Sequence, residues 1–473
     1  ATPSAIALVR SELRTSGLSV SALSPNNLVL RVSGNAEQVS ATFHTKLQRY
    51  RDVSGEIATV ATSRIGLASP IAHYVAGISG LNGFEHPHAT SANANSAAAR
   101  PSLAGPTACT SASNAAASRH VYLPSQIAHA YGLDTAYANG FNGAGHSVAV
   151  VEFADYYRSD MTTYLNCFGL SNTIINVVMN GGAGASTAAD GGAEVALDLQ
   201  QIASLAPGAT IYNYMHPNDS NGFVDEFNQI ANDHLADSVS VSWGLCEADI
   251  SSAAQQPLLQ QLAAQGQSVF VAAGDSGSSS CAYNAEPGDS AVSYSPIVDD
   301  PSNSPWVTGI GGLSVTSISP LVQTVWNGGC GSPCGGGGGF SNVYDRPDWQ
   351  VGPGVTLTNQ RQVPDISVMG DPRTGMLAYY AGGWQGFGGT SIGAPILGAM
   401  AAVGAQACGI ANLGFLNPRL YQMAISGTGI IDVTTGSNDI YSTGSYSATS
   451  GYDVASGLGS PNPATFLPAL CGQ

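Results

Sequence analysis

The sequence predicts an α/β protein, a parallel sheet covered by helices on both faces, preceded by a small α+β unit. Three observations point there. From residue 120 onward, short continuous apolar strands alternate with helical stretches, the pattern of a sheet buried on both sides. Residues 85–119 are Ala/Ser/Asn-rich and almost free of bulky apolar side chains, so they separate two folded regions. The first 84 residues switch element type repeatedly, as a compact mixed unit does. With 473 residues the chain is long enough for two or three domains and at least one large core.

In the first unit, SAIALVRSELRTSG has helical spacing and NNLVLRVSG a strand pattern. NAEQVSATFHTKL starts with an asparagine cap and turns helical. QRYRDVSGEIATVA reads as a hairpin around Ser54-Gly55, and SPIAHYVAGISGLNG as a short helix followed by a last strand. The predicted boundaries are 1–84 for this unit, 85–119 for a linker, and 120–473 for the main domain.

Within the main domain, HSVAVVEF, TIINVVM, ATIYNYM, SVSVSWG and SVFVAAGDSG read as buried strands. GFVDEFNQIANDHLA and PLLQQLAAQGQ are helices between them. Functional groups in such sheets gather at the strands' carboxyl ends. The uncharged run from Thr374 to Pro418 is broken by Gly, Ser, Asn and Pro, and is expected to be a buried loop-plus-helix and not a membrane span. The opening stretch is polar and helical, without the pattern of a secretion leader.

Composition narrows the function. The net charge is −17 and only 10% of residues are charged, while 44% are hydrophobic. Nucleic acid needs a basic patch, so it is not an expected partner. The charge is unevenly divided. Residues 1–119 hold nine Lys+Arg against five Asp+Glu, a balance of +4, which leaves −21 for residues 120–473. The five basic residues there are Arg158, Arg346, Arg361, Arg373 and Arg419. Once carboxylates are protonated, little positive charge remains to drive unfolding, so the composition suits work in acid. An ordinary acidic secreted domain fits the same numbers.

Eight cysteines lack the paired spacing of a zinc site and point to disulfides in an oxidising compartment. Cys330–Cys334 closing a tight loop, Cys408–Cys471, Cys246–Cys281 across neighbouring strands, and Cys109–Cys167 are the expected pairs, out of 105 possible arrangements.

The segment GFGGTSIGAP, residues 386–395, reads as a nucleophile loop carrying Ser391. A serine hydroxyl needs a base to take its proton. Histidine is the usual choice, yet His129 precedes the first apolar strand, and His216 and His234 lie in segments without a His-Gly-Thr motif. GGAEVALDLQQIASLAPGATI offers another base. Glu194 and Asp198 stand four residues apart, on one face of a predicted helix. Two acids held close cannot both ionise easily, so one keeps its proton and the pair can act as a general base in acid. Solvent-facing acids or a metal site are the alternatives. In FVAAGDSGSS, Asp275 follows a strand inside a glycine turn, where aspartate is also commonplace.

With these motifs in this order, nearly the whole chain resembles the sedolisins, serine-carboxyl peptidases that share the subtilisin fold and act in acid. AEVALDLQQIASLAPGA matches the family's Glu-x-x-x-Asp helix, AAGDSG its oxyanion aspartate, and GGTSIGAP its nucleophile loop. GGGGFSNVYDRPDWQ and VPDISVMGDP are similar to family segments, and residues 1–84 to the C-terminal part of the propeptide, a ferredoxin-like antiparallel unit. The resemblance implies a serine-type endopeptidase in which Ser391 attacks the scissile carbonyl and Glu194 takes its proton and returns it to the leaving amine. Asp198 orients Glu194 and shares the proton; a protonated Asp275 donates to the oxyanion. Glu152 and Trp243 support the acid pair, and the backbone at Ser242, Trp243 and Gly244 pairs with an extended substrate.

The resemblance also implies one structural calcium ion. Asp432 and Asp453 would supply carboxylates, and Val433, Thr449 and Gly451 carbonyls, as a hard cation requires; Thr449 stands where the family often has glycine. On composition alone these are Asp/Gly-rich surface loops. The expected protein is secreted, monomeric, works in acidic surroundings on proteins and peptides, and has no membrane partner. Its own propeptide is the intramolecular inhibitor, docked by charge at neutral pH, and acid triggers cutting of the linker between about Glu85 and His120. A complete propeptide of that family is longer, so residues before Ala1 are expected to be missing. The competing expectation is a secreted, calcium-stabilised binding or adhesion protein on a catalytically decayed scaffold.

Overall fold

The computed structural model describes residues 1–473 apart from 53–54, 94–104, 190, 251, 284–293 and 473. Its centre is an eight-stranded sheet: β1 (Ser147–Glu152), β2 (Ile174–Val178), β3 (Thr210–Met215), β4 (Ser238–Val241), β5 (Ser268–Ala272), β6 (Thr308–Ile318), β7 (Leu321–Val325) and β8 (Ile366–Met369). They lie in the order β7-β6-β5-β4-β1-β3-β2, with β8 also paired to β6. All pairings are parallel except β6–β7, a hairpin at the edge. Every residue of β1, β4 and β5 is buried, which fits the apolar runs of β1 and β5, while β4 also buries Ser238 and Ser240.

Four helices matter for the site. α1 (Gly192–Leu205) and α4 (Gly393–Cys408) pack on each other, and α2 (Gly222–Asp233) packs on α3 (Gln256–Ala264), with the sheet contacting both pairs. α4 is buried over Gly393–Ala405, so its length and apolarity serve the core, as its glycines and alanines allow. The uncharged run before it also contains an antiparallel hairpin, Met376–Tyr380 with Gly383–Gly388, in place of the expected loop.

The N-terminal unit has helices Pro3–Thr15 and Ala36–Thr42 and two antiparallel strand pairs, Ser19–Leu23 with Leu30–Ser33 and Leu47–Arg51 with Ile57–Ala61. Asn35 and Gln38 form a capping box at the second helix. The hairpin tip at Ser54 lies outside the described residues. The last strand read from SPIAHYVAGISGLNG is not formed as such: Leu81 and Asn82 reach Ile57–Ala61 only through an isolated bridge. Leu13, Leu18, Phe43 and Ile71 make the unit's own small core.

This unit sits on α2 and α3. Asn26 donates to Gln261 at 3.0 Å, Ser79 to Asn221 at 3.0 Å, and Arg31 pairs with Asp225. Arg31–Asp225 is the single ion pair across this contact among the described residues, and the Asn26 and Ser79 hydrogen bonds are neutral. Within 85–119, His88–Ala89 and Ala92–Asn93 are short strands, and Thr110–Arg119 is a helix. That helix buries Ala112 and Ala116, four residues apart, against Tyr164, Phe168 and Leu377, and Cys109 bridges to Cys167. Small side chains can pack closely where bulky ones are absent. The other three disulfides are Cys246–Cys281, Cys330–Cys334 and Cys408–Cys471, all as expected, and no described cysteine is free.

Candidate active site

The parallel strands deliver their carboxyl ends to one edge. Glu152 ends β1, Ser242 and Trp243 follow β4, and Asp275 lies just past β5. Glu194 and Asp198 come from the first turns of α1, and Ser391 from the 3₁₀ turn that opens into α4. Gln201 of α1 donates to Ile392 O, fastening the helix to the nucleophile loop. Gly191, at φ +93°, caps α1; a Cβ there would stand 2.3 Å from the Trp243 ring. Only glycine lets the indole approach.

Glu194, Asp198, Glu152 and Ser391 are fully buried, and Asp275 nearly so. The Trp243 indole N–H donates to Glu152 Oε2 at 2.9 Å. Burial pushes the Glu194 carboxyl up to about 7, against the Ser391 and Ser91 hydroxyls that face it and pull it down. Those hydroxyls stop short of hydrogen-bond geometry, so both Glu194 oxygens lack a partner among the described residues. Burial also lifts Asp198 well above the carboxylate range, helped by the charges of Glu152 and Glu194, with the Ser242 hydroxyl opposing. Glu152 is lifted by burial and by Glu194 and Glu226, against the Trp243 hydrogen bond. Burial thus favours the protonated form of each of these acids, and ionising one raises its neighbours further.

Asp275 is held on one side. Its Oδ1 accepts from Thr390 N–H at 2.7 Å and from the Thr390 hydroxyl at 3.0 Å, while Oδ2 has no partner among the described residues. Burial raises its pKa well above 3.8 despite those two bonds. A protonated Oδ2 is a hydrogen-bond donor in a dry site. It sits beside Gly389, at φ +104°, where a Cβ would lie 2.7 Å from Oδ2.

Ser391 meets no histidine. His129 pairs with Asp134 at 2.7 Å, His216 with Asp225 at 3.0 Å, and His234 caps the end of α2 in the left-handed region. The hydroxyl of Ser391 instead contacts Thr90 Oγ at 2.7 Å and Ser242 O at 3.4 Å, and its N–H donates to Thr90 O at 3.1 Å.

Residues 1–84 match the pro-kumamolisin activation domain, and residues 179–428 match the subtilase family. The chain belongs to the subtilase family, in its sedolisin branch. Kumamolisin of Bacillus sp. (strain MN-32) is 34% identical over 369 residues, 74% of this chain and 63% of that protein. Sedolisin of Pseudomonas sp. (strain 101) is 28% identical over 97% of this chain and 78% of its own length. Human tripeptidyl-peptidase 1 is 27% identical over 73% and 64%, respectively. The chain thus spans less than two thirds of kumamolisin and of tripeptidyl-peptidase 1. A solved structure of Pseudomonas sedolisin, a serine-carboxyl proteinase complexed with two molecules of pseudo-iodotyrostatin, aligns with TM-score 0.63 and 28% identity. It covers 73% of this chain and 96% of that one.

Three polar residues of this sedolisin-family site escaped the sequence reading. Thr390 holds Asp275 and also accepts from Gly274 N–H at 3.1 Å. Thr90 belongs to the stretch read as linker. Glu226, fully buried on α2, accepts from Glu152 N–H at 3.2 Å. A signal for Glu226 existed: it falls on the apolar stripe of Phe223, Phe227 and Ile230.

The C-terminal oxygens also come together. Strand residues Ile430–Ile431 pair with Ser460–Pro461 and carry Asp432 to the 449–459 loop. Gly451 N–H donates to Asp432 Oδ2 and Thr449 N–H to Asp453 Oδ2, each at 2.8 Å. The Ser456 hydroxyl bonds Asp453 Oδ1 at 3.0 Å and Val433 O at 3.2 Å. The Asp432 and Asp453 carboxylates and the Val433 carbonyl, linked through this loop, are hard-oxygen donors of the kind calcium takes.

Proposed function

We propose that this chain is an acid-acting serine-carboxyl endopeptidase, exported as a proprotein that inhibits and then processes itself. The observation that carries the reading is a carboxyl, Glu194, facing the Ser391 hydroxyl from full burial with its pKa pushed up to about 7. A carboxyl pair that holds one proton between its members leaves one carboxylate oxygen free to act as base in acid, where imidazole would be protonated.

Ser391 Oγ attacks the carbonyl carbon as its proton passes to Glu194. Asp198 holds the second acid position of the pair and shares that proton. The developing oxyanion receives hydrogen bonds from Ser391 N–H and from protonated Asp275 Oδ2, which Thr390 orients through Oδ1. Glu194 then returns the proton to the leaving amine, and water hydrolyses the acyl ester. Trp243, Glu152 and Glu226 hold the pair from behind. The backbone of Ser242–Gly244 takes substrate as an added strand. Asp432, Val433, Thr449, Gly451 and Asp453 would hold one calcium ion, which ties the C-terminal loops and supplies no chemistry to the reaction.

In the proprotein, residues 1–84 form the inhibitory unit and 85–119 the region opened by acid. Arg31–Asp225 is one charged contact that holds the unit on the main domain. The presence of all four expected residues, Glu194, Asp198, Asp275 and Ser391, supports an enzyme over a decayed binding scaffold. Casein and haemoglobin digestion at pH 3–4 and at pH 7 tests the reading, with Ser391→Ala beside the wild type. Degradation in acid by the wild type alone supports it; no degradation, or equal degradation by the variant, rejects it.

A further inference from the structure

We propose that the Thr90–Ser91 peptide bond is the first bond this chain cuts in itself; the assignment rests on the peptidase reading above and deepens it. The linker lies across Ser391 as an extended strand. Upstream, Ala89 and His88 pair antiparallel with Trp243 and Gly244, and Thr90 N–H donates to Ser242 O at 3.1 Å. Downstream, Ala92 and Asn93 pair antiparallel with Gly388 and Phe387. Main-chain pairing on both sides of a nucleophile is how an extended peptide is presented for cutting.

The register singles out one carbonyl. Thr90 O accepts from Ser391 N–H at 3.1 Å. It lies 2.2 Å from the point where a Gly389 Cβ would begin, a point only 2.7 Å from Asp275 Oδ2. The carbonyl oxygen thus shares a corner with both proposed oxyanion donors. On the other side of the bond, Ser91 and Ser391 both present hydroxyls to Glu194, so the acid stands between nucleophile and leaving residue. The preceding carbonyl points elsewhere: Ala89 O accepts from the Tyr283 hydroxyl at 3.3 Å.

Tyr283 also fixes the register. Its ring stacks on His88 with centroids 3.8 Å apart and planes at 23°. Asn218 donates to Pro87 O at 2.8 Å, upstream of that stack. A slip of one residue would turn every side chain to the opposite face and lose the stack.

In the cut, Ser391 Oγ bonds to the Thr90 carbonyl carbon and its proton moves to Glu194. The Thr90–Ser91 C–N bond breaks, and the proton goes to the Ser91 nitrogen, which leaves as a free amine. Water then releases Thr90 as a carboxylic acid and restores the Ser391 hydroxyl.

The test acidifies the intact chain to pH 4 and determines the masses and N-termini of the earliest products, with Ser391→Ala as control and casein digestion followed in parallel. A first new N-terminus at Ser91, absent in the control, is expected. A synthetic peptide of residues 85–96 given to the matured chain is expected to be cut between the same two residues. A first cut elsewhere, or none, while casein is digested overturns the assignment and leaves the peptidase reading standing. Loss of both casein and linker cleavage overturns the two together.

Discussion

The Thr90 hydroxyl lies 2.7 Å from the Ser391 hydroxyl, at the closest approach between linker and nucleophile. Thr90 Oγ also donates to Ser242 O at 3.0 Å, so it has only an acceptor left for Ser391. Ser391 can donate to Thr90 Oγ or, at 3.4 Å, to Ser242 O, so the linker competes with Glu194 for its proton. A neutral hydrogen bond contributes about 0.5–1.5 kcal/mol. Thr90→Val keeps the shape without the hydroxyl, and should process itself roughly 2- to 10-fold faster in acid. Thr90→Ser should stay near wild type. Intact mass against time at pH 4 reads both; equal rates for Val and wild type would remove the latch.

Asp275 acts as a donor in the proposed mechanism, so a permanent neutral donor should replace it. In Asp275→Asn, the carbonyl can still accept from Thr390 and the amide can face the oxyanion. We expect kcat within about tenfold of wild type at pH 4, with activity extending to higher pH. Asp275→Ala should lose roughly 10²–10³ in kcat, the scale of one oxyanion donor. The two pH profiles decide the matter: an alanine variant with wild-type kcat contradicts the role.

Stability should fall as pH rises, the reverse of the usual acid denaturation. Glu85 and Glu194 rise from 4.5 to about 7, and Asp299 from 3.8 to about 7, each chiefly through burial. Between those values the folded chain binds more protons than the unfolded chain, so ionisation favours unfolding. Each glutamate raised to about 7 contributes on the order of 3 kcal/mol in acid that is lost by neutrality. His88, lowered to about 4 by burial, works the other way below 6.5, with a smaller total. Urea midpoints of Ser391→Ala, which cannot cut itself, should be higher at pH 4 than at pH 7; the opposite order refutes this.

Much of the site was legible because its chemistry is carried by spacing. Glu194 and Asp198 show as an acid pair at i, i+4 among Ala, Val and Leu, and Asp275 as the residue past an apolar strand. The nucleophile loop shows in its glycines. What escaped was held by backbone or by context. His88–Asn93 forms strands without any apolar alternation, because its main chain bonds to the cleft edges. The helix Thr110–Arg119 packs through alanines, which composition alone reads as linker. Glu226 hides on an apolar helix stripe, where a carboxyl is rare and becomes intelligible only beside Glu152.

Calcium, in the proposed site, should raise the melting temperature with the logarithm of its excess over the dissociation constant. At pH 6 a chelator should lower the wild-type Tm by several degrees and leave Asp432→Ala and Asp453→Ala unchanged. At pH 3 the wild-type response should shrink, because burial raises the Asp453 carboxyl and a protonated ligand binds the ion poorly. Equal chelator sensitivity in all three chains would remove these ligands from the account.

The most direct measurement is kcat/KM for hydrolysis of a neutral peptide by the acid-matured chain from pH 3 to pH 8. A proton-sharing acid pair and a protonated Asp275 predict activity in acid that declines as pH climbs and is largely gone by about 7. A rate that instead rises through pH 6–7 to a plateau is the signature of a single base titrating near 7, and would contradict a pair that works with one proton still bound and a donor Asp275.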